Sequence, residues 1–217
     1  MRKIRIMKNI QDIVNLAKTY KSNNYSNNIR SVLTDHMLYK VAEVCLNSLE
    51  IEGDIAEVGV WRGSVGIIFG EIFKNKDVYL FDTFEGIPYS NEFDNIHRVG
   101  DFGKGDRDPA YYSSFEEVQN TLSIYDKIKI YKGIFPIETS QIISDKKFAL
   151  VHLDVDVYQS YKESLEFFYP RMNKDGLILL DDYNIPSCEG ATKAVNEFCK
   201  KHNIQIINFD NLFYIKK

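Results

Sequence analysis

Two short runs of the chain concentrate acid: His152-Leu153-Asp154-Val155-Asp156-Val157-Tyr158 and Asp181-Asp182-Tyr183. Each follows an apolar, β-prone stretch, so Asp154, Asp156, Asp181 and Asp182 arrive at the ends of two strands. Like charges gathered this closely destabilise a fold unless protons or a cation neutralise them. Oxygen donors without a histidine pair at ligand spacing favour a hard ion, Mg²⁺, Ca²⁺ or Mn²⁺, over zinc. Consecutive strand residues point to opposite faces, so Asp181 and Asp182 share an ion only if the strand ends there and the chain turns. Tyr183-Asn184-Ile185-Pro186 carries such a turn signal. The alternative is that one aspartate of each pair caps the next helix and the other is solvated. His152, on an apolar strand, reads as a core histidine rather than a ligand.

A second constellation lies upstream. Glu57-Val58-Gly59-Val60-Trp61-Arg62-Gly63 reads as a strand running through a glycine turn into a helix, and Asp82 ends the next strand. Glycine lets backbone approach a ligand closely, and an acid on the neighbouring strand suits ribose hydroxyls. The spacing lacks the small residues that seat a pyrophosphate, which favours an adenosine ligand without phosphates over a dinucleotide. Trp61 and Arg62 either line that pocket or pack the first helix.

The elements that must hold these groups follow from periodicity. From residue 54 onward, β-prone runs (Ile55–Gly59, Val78–Asp82, Ile128–Tyr131, Phe148–Leu153, Leu177–Leu180) alternate with helical patterns at Gly63–Phe73, Ser114–Ser123, Tyr158–Met172 and Ala191–His202. Such alternation implies βαβ units and a parallel sheet with helices on both faces. Ser113 and Ser114, with Glu116 and Glu117, offer a capping box. Ile204–Phe209 and Leu212–Ile215 are separated only by Asp210-Asn211, which can turn a hairpin but cannot hold a crossover helix, so the last strand is antiparallel. Ligands of such a sheet lie outside the carboxyl ends of its strands, where the acids gather. Nearer the N-terminus, Met37, Leu38, Val41, Val44, Cys45 and Leu49 form an amphipathic helical pattern behind the caps Thr34 and Asp35. The polar stretch Tyr20–Arg30 reads as a mobile surface loop.

The chain of 217 residues is 44% hydrophobic and 27% charged, with 12 Gly and 5 Pro, which excludes a disordered or collagen-like chain and is enough for one full core. A formal charge of −4 repels phosphate backbones, so no nucleic-acid partner is expected. Cys45, Cys188 and Cys199 form neither a CxxC nor an even set and read as buried fillers in a reducing compartment. Met1–Lys8 is basic but leads into no apolar targeting stretch, and apolar runs fall far short of the roughly 20 residues that span a bilayer. A cytoplasmic protein without a membrane partner is expected.

Taken in order, Gly53-Asp54-Ile55-Ala56-Glu57-Val58-Gly59-Val60-Trp61-Arg62-Gly63, Phe81-Asp82-Thr83-Phe84-Glu85-Gly86-Ile87-Pro88, Leu153-Asp154-Val155-Asp156-Val157-Tyr158, Tyr169-Pro170-Arg171-Met172 and Asp181-Asp182-Tyr183 resemble the successive motifs of the macrocin O-methyltransferase family. The stretch Gly190–Phe198 is similar too. The resemblance implies a class I S-adenosylmethionine-dependent fold: a doubly wound, mostly parallel seven-stranded sheet with one antiparallel C-terminal strand. It also divides the chain into an N-terminal helical lid or extension, 1–50, and a methyltransferase domain, 51–217. Methyl transfer to a hydroxyl of a sugar or sugar-containing small molecule is implied, with a bound divalent cation, Mg²⁺ foremost. Carried over by position, Glu57 and Gly59 sit at the cofactor's amino acid end. Asp82, with Thr83 and Phe84, holds ribose and borders adenine, and Ser114 and the Lys132-Gly133-Ile134-Phe135 turn lie near the cofactor. Asp154, Asp181 and Asp182 are the metal ligands, with Asp154 also the base; Asp156 is the alternative base. The segment that should cover the active site, Asn91–Tyr112, departs from the family's pattern. The N-terminal segment serves as a lid or as a contact in a homo-oligomer.

Two other chemistries use the same residues. Asp154-Val155-Asp156 could be the DxD motif of a glycosyltransferase holding Mn²⁺ and a nucleotide-sugar, and a catechol, like a sugar, offers two neighbouring oxygens to a metal. A third reading is a cofactor-binding or interaction protein with a purely structural metal cluster.

Overall fold

Alternating apolar runs place one side-chain file on each face of a central sheet, and the chain covers both faces with helices. The structure, a computed structural model, describes residues 9–19, 33–88, 92–94 and 112–217. The expected loop Tyr20–Arg30, the basic N-terminus and most of Asn91–Tyr112 lie outside the described residues. The strands are β1 (Asp54–Val58), β2 (Val78–Asp82), β3 (Ile128–Lys132), β4 (Phe148–Leu153), β5 (Met172–Leu180), β6 (Ile206–Phe209) and β7 (Leu212–Lys216), and they form one seven-stranded sheet. Its order is β3-β2-β1-β4-β5-β7-β6, parallel except for β7, which runs antiparallel to both β5 and β6. Asp210-Asn211, both with positive φ, make the tight turn that reverses β7.

The helices are α1 (Ile10–Lys18), α2 (Asp35–Asn47), α3 (Ser64–Ile72), α4 (Phe115–Leu122), α5 (Tyr158–Phe168) and α6 (Glu189–His202). One core joins Ile13, Leu38, Val41, Ile68 and Phe69 of α1 to α3 with Ile55, Leu80, Leu150 and Leu179 of the sheet. The other joins Tyr161, Leu165, Val195 and Phe198 of α5 and α6 with Ala56, Val58, Phe81, Val151, Leu153 and Leu180. Each Val, Leu, Ile or Phe among them, fully buried, contributes about 1.5–3 kcal/mol relative to exposure. The border at residue 50 thus falls between α2 and β1, while α1 and α2 share a core with α3.

Caps match the expected signals at two helices. Thr34 accepts the Met37 N–H at 3.2 Å, and Ser114 accepts the Glu117 N–H at 3.3 Å. The long helix expected over Tyr158–Met172 stops at Phe168. Pro170 lies in a 3₁₀ turn over Tyr169–Arg171, and β5 begins at Met172, well before the expected Leu177. Among the described residues no helix is long and apolar enough to cross a membrane.

Candidate active site

A cleft of about 350 Å³ opens at the carboxyl ends of β1, β2, β4 and β5, around the point where β1 and β4 diverge to opposite halves of the sheet. Gly59, Asp82, Thr83, Asp154, Asp181 and Asp182 line it. Residues scattered over more than a hundred positions meet there because each lies at or just beyond the carboxyl end of a parallel strand.

Two of these acids do the same structural work, each for the turn on the strand beside its own. Asp82, at the end of β2, accepts the Val60 and Trp61 N–H groups on Oδ2, both at 2.7 Å, and the Phe84 N–H on Oδ1 at 2.6 Å. It thereby fixes the turn that leaves β1. Asp182, just beyond β5, accepts the Val155 and Asp156 N–H groups on Oδ2 at 3.1 and 2.9 Å, fixing the turn that leaves β4. The clamped turns contain Trp61 and Asp156 at positive φ, 46° and 61°. A side chain rarely adopts that conformation unless its surroundings hold it there. Each carboxylate keeps acceptor capacity on Oδ1 that can face a ligand.

Gly59 lies between the two turns at φ 88°, and a Cβ built on it would fall 1.7 Å from the Asp154 carbonyl oxygen. Sequence reasoning connected this glycine with a close ligand. The structure shows that the backbone of the β4 turn itself already requires it.

Leu180 is the last residue of β5; Asp181 still donates its N–H to the Leu153 carbonyl at 3.0 Å, and the chain turns beyond it, so Asp182 escapes strand alternation. Ligand atoms of Asp154, Asp181 and Asp182 lie within 4.8 Å of one another. Burial, then the charges of Asp181 and Asp182, holds the Asp154 carboxyl well above the usual range. Burial, then Asp182 and Asp181, does the same to Asp156. Asp182 is pushed up to about 6 by burial and by Asp181, against the opposing pull of its backbone donors. Asp181 Oδ1 is buried without a hydrogen-bond partner. Three convergent oxygen ligands that repel one another fit a hard divalent cation. A second group, Asp156, Asp182 and Cys188, also has its ligand atoms within 4.8 Å, with Cys188 Sγ 3.7 Å from Asp182 Oδ1.

Beneath the cleft, Glu57, 2% exposed, and His152, 0% exposed, sit opposite each other in the β1–β4 ladder. His152 Nδ1 lies 3.2 Å from Glu57 Oε1, and Nε2 lies 3.6 Å from Asp181 Oδ1. Burial alone lowers an imidazole pKa, but Asp181 and Glu57 outweigh it and raise His152 to about 10. Glu57 is raised by burial, against the lowering effect of His152. His152 is therefore a core histidine, as its strand suggests, and it is an ion-paired one.

Of the other residues singled out, Trp61, Gly133 and Phe135 line the cleft, whereas Glu57, Phe84 and Ser114 do not. Phe84 packs edge-on against Phe115 at 5.2 Å, and the Ser114 hydroxyl both caps α4 and donates to Glu116 at 3.1 Å. Sequence reasoning missed Asp94. Val157, at the start of α5, has no capping side chain of its own, and Asp94 Oδ1 accepts the Tyr158 N–H at 2.8 Å instead.

Comparison with known proteins adds a family to this geometry. The macrocin O-methyltransferase (TylF) family matches residues 30–214. The mycinamicin III 3''-O-methyltransferase of Micromonospora griseorubida is 28% identical over 178 residues, which cover 74% of this chain and 66% of the relative. The demethyldecarbamoylnovobiocin O-methyltransferase of Streptomyces niveus is 29% identical over 179 residues, 74% of this chain and 64% of the relative. The chain thus spans a little under two thirds of the length of these relatives. Among solved structures, the O-methyltransferase NovP superposes with a TM-score of 0.68 at 24% identity, covering 95% of this chain and 88% of that one. The calicheamicin methyltransferase CalS11 does so at 0.69 and 17%, covering 95% and 90%. These two similarities establish the fold.

Proposed function

The chain belongs to the macrocin O-methyltransferase family, and from that premise we propose that it moves a methyl group from S-adenosylmethionine to a hydroxyl of a sugar or sugar-containing small molecule, with a divalent cation, Mg²⁺ foremost, in the site. The observation that carries this reading is the convergence of Asp154, Asp181 and Asp182 at the mouth of a cleft whose other wall is the Gly59 turn and Asp82.

S-adenosylmethionine supplies the methyl group on a sulfonium, an electrophile that needs no further activation. Gly59, in the cleft wall, and Glu57, buried just beneath it with Oε2 lacking a hydrogen-bond partner, would hold its amino acid end. Asp82, through the capacity left on Oδ1, would hold ribose, with Thr83 toward adenine; Phe84 and Ser114, off the cleft, would act only through the turn and the helix start that they hold. A divalent cation held by Asp154, Asp181 and Asp182 would supply Lewis acidity to a hydroxyl that hardly ionises at neutral pH. Asp154 accepts the hydroxyl proton on a carboxylate oxygen. Its place in the cleft lining, with ligand atoms of Asp181 and Asp182 close by, suits that task. Asp156 is the second candidate, and its backbone N–H is already fixed by Asp182. Trp61, Phe135 and the neighbouring walls narrow the cleft so that acceptor oxygen, methyl carbon and sulfur can align.

The experiment is direct. The purified protein is incubated with labelled S-adenosylmethionine, Mg²⁺ and a panel of glycosylated natural products, and mass spectrometry reads which molecule gains a methyl group on a sugar. Calorimetry runs alongside with S-adenosylmethionine, and with a UDP-sugar plus Mn²⁺. Methylation of a sugar hydroxyl is the expected result. Binding of the UDP-sugar in place of S-adenosylmethionine would overturn the proposal, and methylation of a catechol alone would move the acceptor class.

A further inference from the structure

We propose that His152 is a positioning residue that ties the cofactor end of the site to its cation end, so that occupation of either tightens the other. This rests on the reading of Glu57 as a cofactor residue and Asp181 as a cation ligand. Three polar groups stand in one row along the face of the sheet that α3 covers. Glu57 continues the file of Ile55, His152 that of Leu150, and Asp181 that of Leu179. Glu57 and His152 are register partners, as are His152 and Leu179. The imidazole is 0% exposed, so it touches neither solvent nor acceptor, and its two nitrogens face one carboxylate each. An apolar residue would fill this position of β4 without the desolvation that an imidazole carries there. The ring is thus best explained by what lies at its two ends.

The row also contains slack. Glu57 Oε2, His152 Nε2 and Asp181 Oδ1 are all buried without a hydrogen-bond partner, and the second link, at 3.6 Å, exceeds hydrogen-bond length. A cationic group drawn to Glu57 fixes that carboxylate, and Nδ1, 3.2 Å away, fixes the plane of the ring. The fixed ring presents Nε2 to Asp181 and narrows the positions its carboxylate can take, so a cation arriving at Asp181 meets a ligand already oriented. The same chain of contacts runs in reverse. Partners of metal ligands commonly act this way, and binding coupling is reciprocal by thermodynamic necessity.

Calorimetry tests the inference. Mg²⁺ is titrated into the wild-type protein with and without saturating S-adenosylhomocysteine, and S-adenosylhomocysteine with and without Mg²⁺. The expected result is that each ligand tightens the other by the same factor, on the order of 5–150-fold. In His152→Gln, whose amide can reach one carboxylate but not both, both ligands still bind, Mg²⁺ roughly 10–100-fold more weakly, and the mutual factor disappears. Absence of the factor in the wild type, or its survival in the folded variant, overturns the inference while leaving the methyltransferase reading intact. Failure of the wild type to bind S-adenosylhomocysteine at all overturns that reading itself. Should the variant not fold, ¹⁵N-histidine NMR of the wild type decides. S-adenosylhomocysteine alone must move the Nε2 resonance of His152, and Mg²⁺ alone the Nδ1 resonance. Responses confined to the near nitrogen refute the link.

Discussion

Gly59 shows how little tolerance the centre of the site has. A methyl group there meets the Asp154 carbonyl oxygen at 1.7 Å and requires a side chain at φ 88°. Backbone cannot move aside as a flexible side chain would, so either β1 or the β4 turn must shift. Gly59→Ala is expected to destabilise the fold by about 3–5 kcal/mol, visible as a lowered denaturation midpoint; a stability within error of wild type would show that the turn is free to relax. Asp154→Asn poses the opposite case, since volume and packing are kept while the carboxylate is lost. Turnover should fall on the order of 10²–10⁴-fold, while S-adenosylhomocysteine affinity, measured by calorimetry without Mg²⁺, stays within about threefold of wild type. Loss of cofactor affinity with preserved turnover would reassign the residue, and a matching loss of turnover in Asp156→Asn alone would move the base there.

The turns after β1 and β4 owe their shape to acids on the next strand over, Asp82 for one and Asp182 for the other. An acid that only bound ribose would matter only when cofactor is present. Asp82→Ala strips acceptors from the Val60, Trp61 and Phe84 N–H groups, and a buried donor left alone costs about 1–3 kcal/mol. The variant should therefore melt several degrees lower with no cofactor added; an unchanged apo melting temperature would restrict Asp82 to ligand contact. The alternation of β-prone and helical patterns, the reversed β7 and the Thr34 and Ser114 caps were legible in the sequence because they rest on local periodicity and on contacts within a few residues. The gathering of Glu57, Asp82, Asp154, Asp181 and Asp182 was legible too, since parallel strands send their carboxyl ends to one edge. The clamping turns, the Asp94 cap on α5 and the row from Glu57 through His152 to Asp181 were not. Each depends on which strands are neighbours and in what register, and no local pattern encodes that. His152 announced itself only as a histidine among apolar residues.

For the molecule as a whole, the acids at the sheet edge set how stability depends on pH and on cations. Folding holds Asp182 at about 6 and Asp154 and Asp156 well above their ordinary values, through burial first and mutual repulsion second. The native state therefore binds more protons than the unfolded chain once the pH exceeds the unfolded carboxylate range, near 4, and stability falls as pH rises through the native values. His152, raised to about 10, acts in the same sense: its contribution is complete below about 6.5 and is lost as pH climbs toward 10. Asp77, whose carboxyl is lowered first by its hydrogen bond to Lys129, acts oppositely, but only below about 4. Between pH 5.5 and 8 the raised groups dominate, and without divalent ions Tm should rise as the solution is made more acidic. A cation that replaces the missing protons reverses the penalty where the carboxylates are ionised. Millimolar Mg²⁺ is thus expected to raise Tm by several degrees at pH 8 and by progressively less toward pH 5.5, where protons compete for the same oxygens. Differential scanning calorimetry over that range, with Mg²⁺ or with EDTA, reads both slopes at once. A Tm that is indifferent to Mg²⁺ at pH 8 would mean that Asp154, Asp181 and Asp182 do not act together as a cation site, and a Tm that climbs with pH in EDTA would mean that their repulsion is relieved within the protein itself.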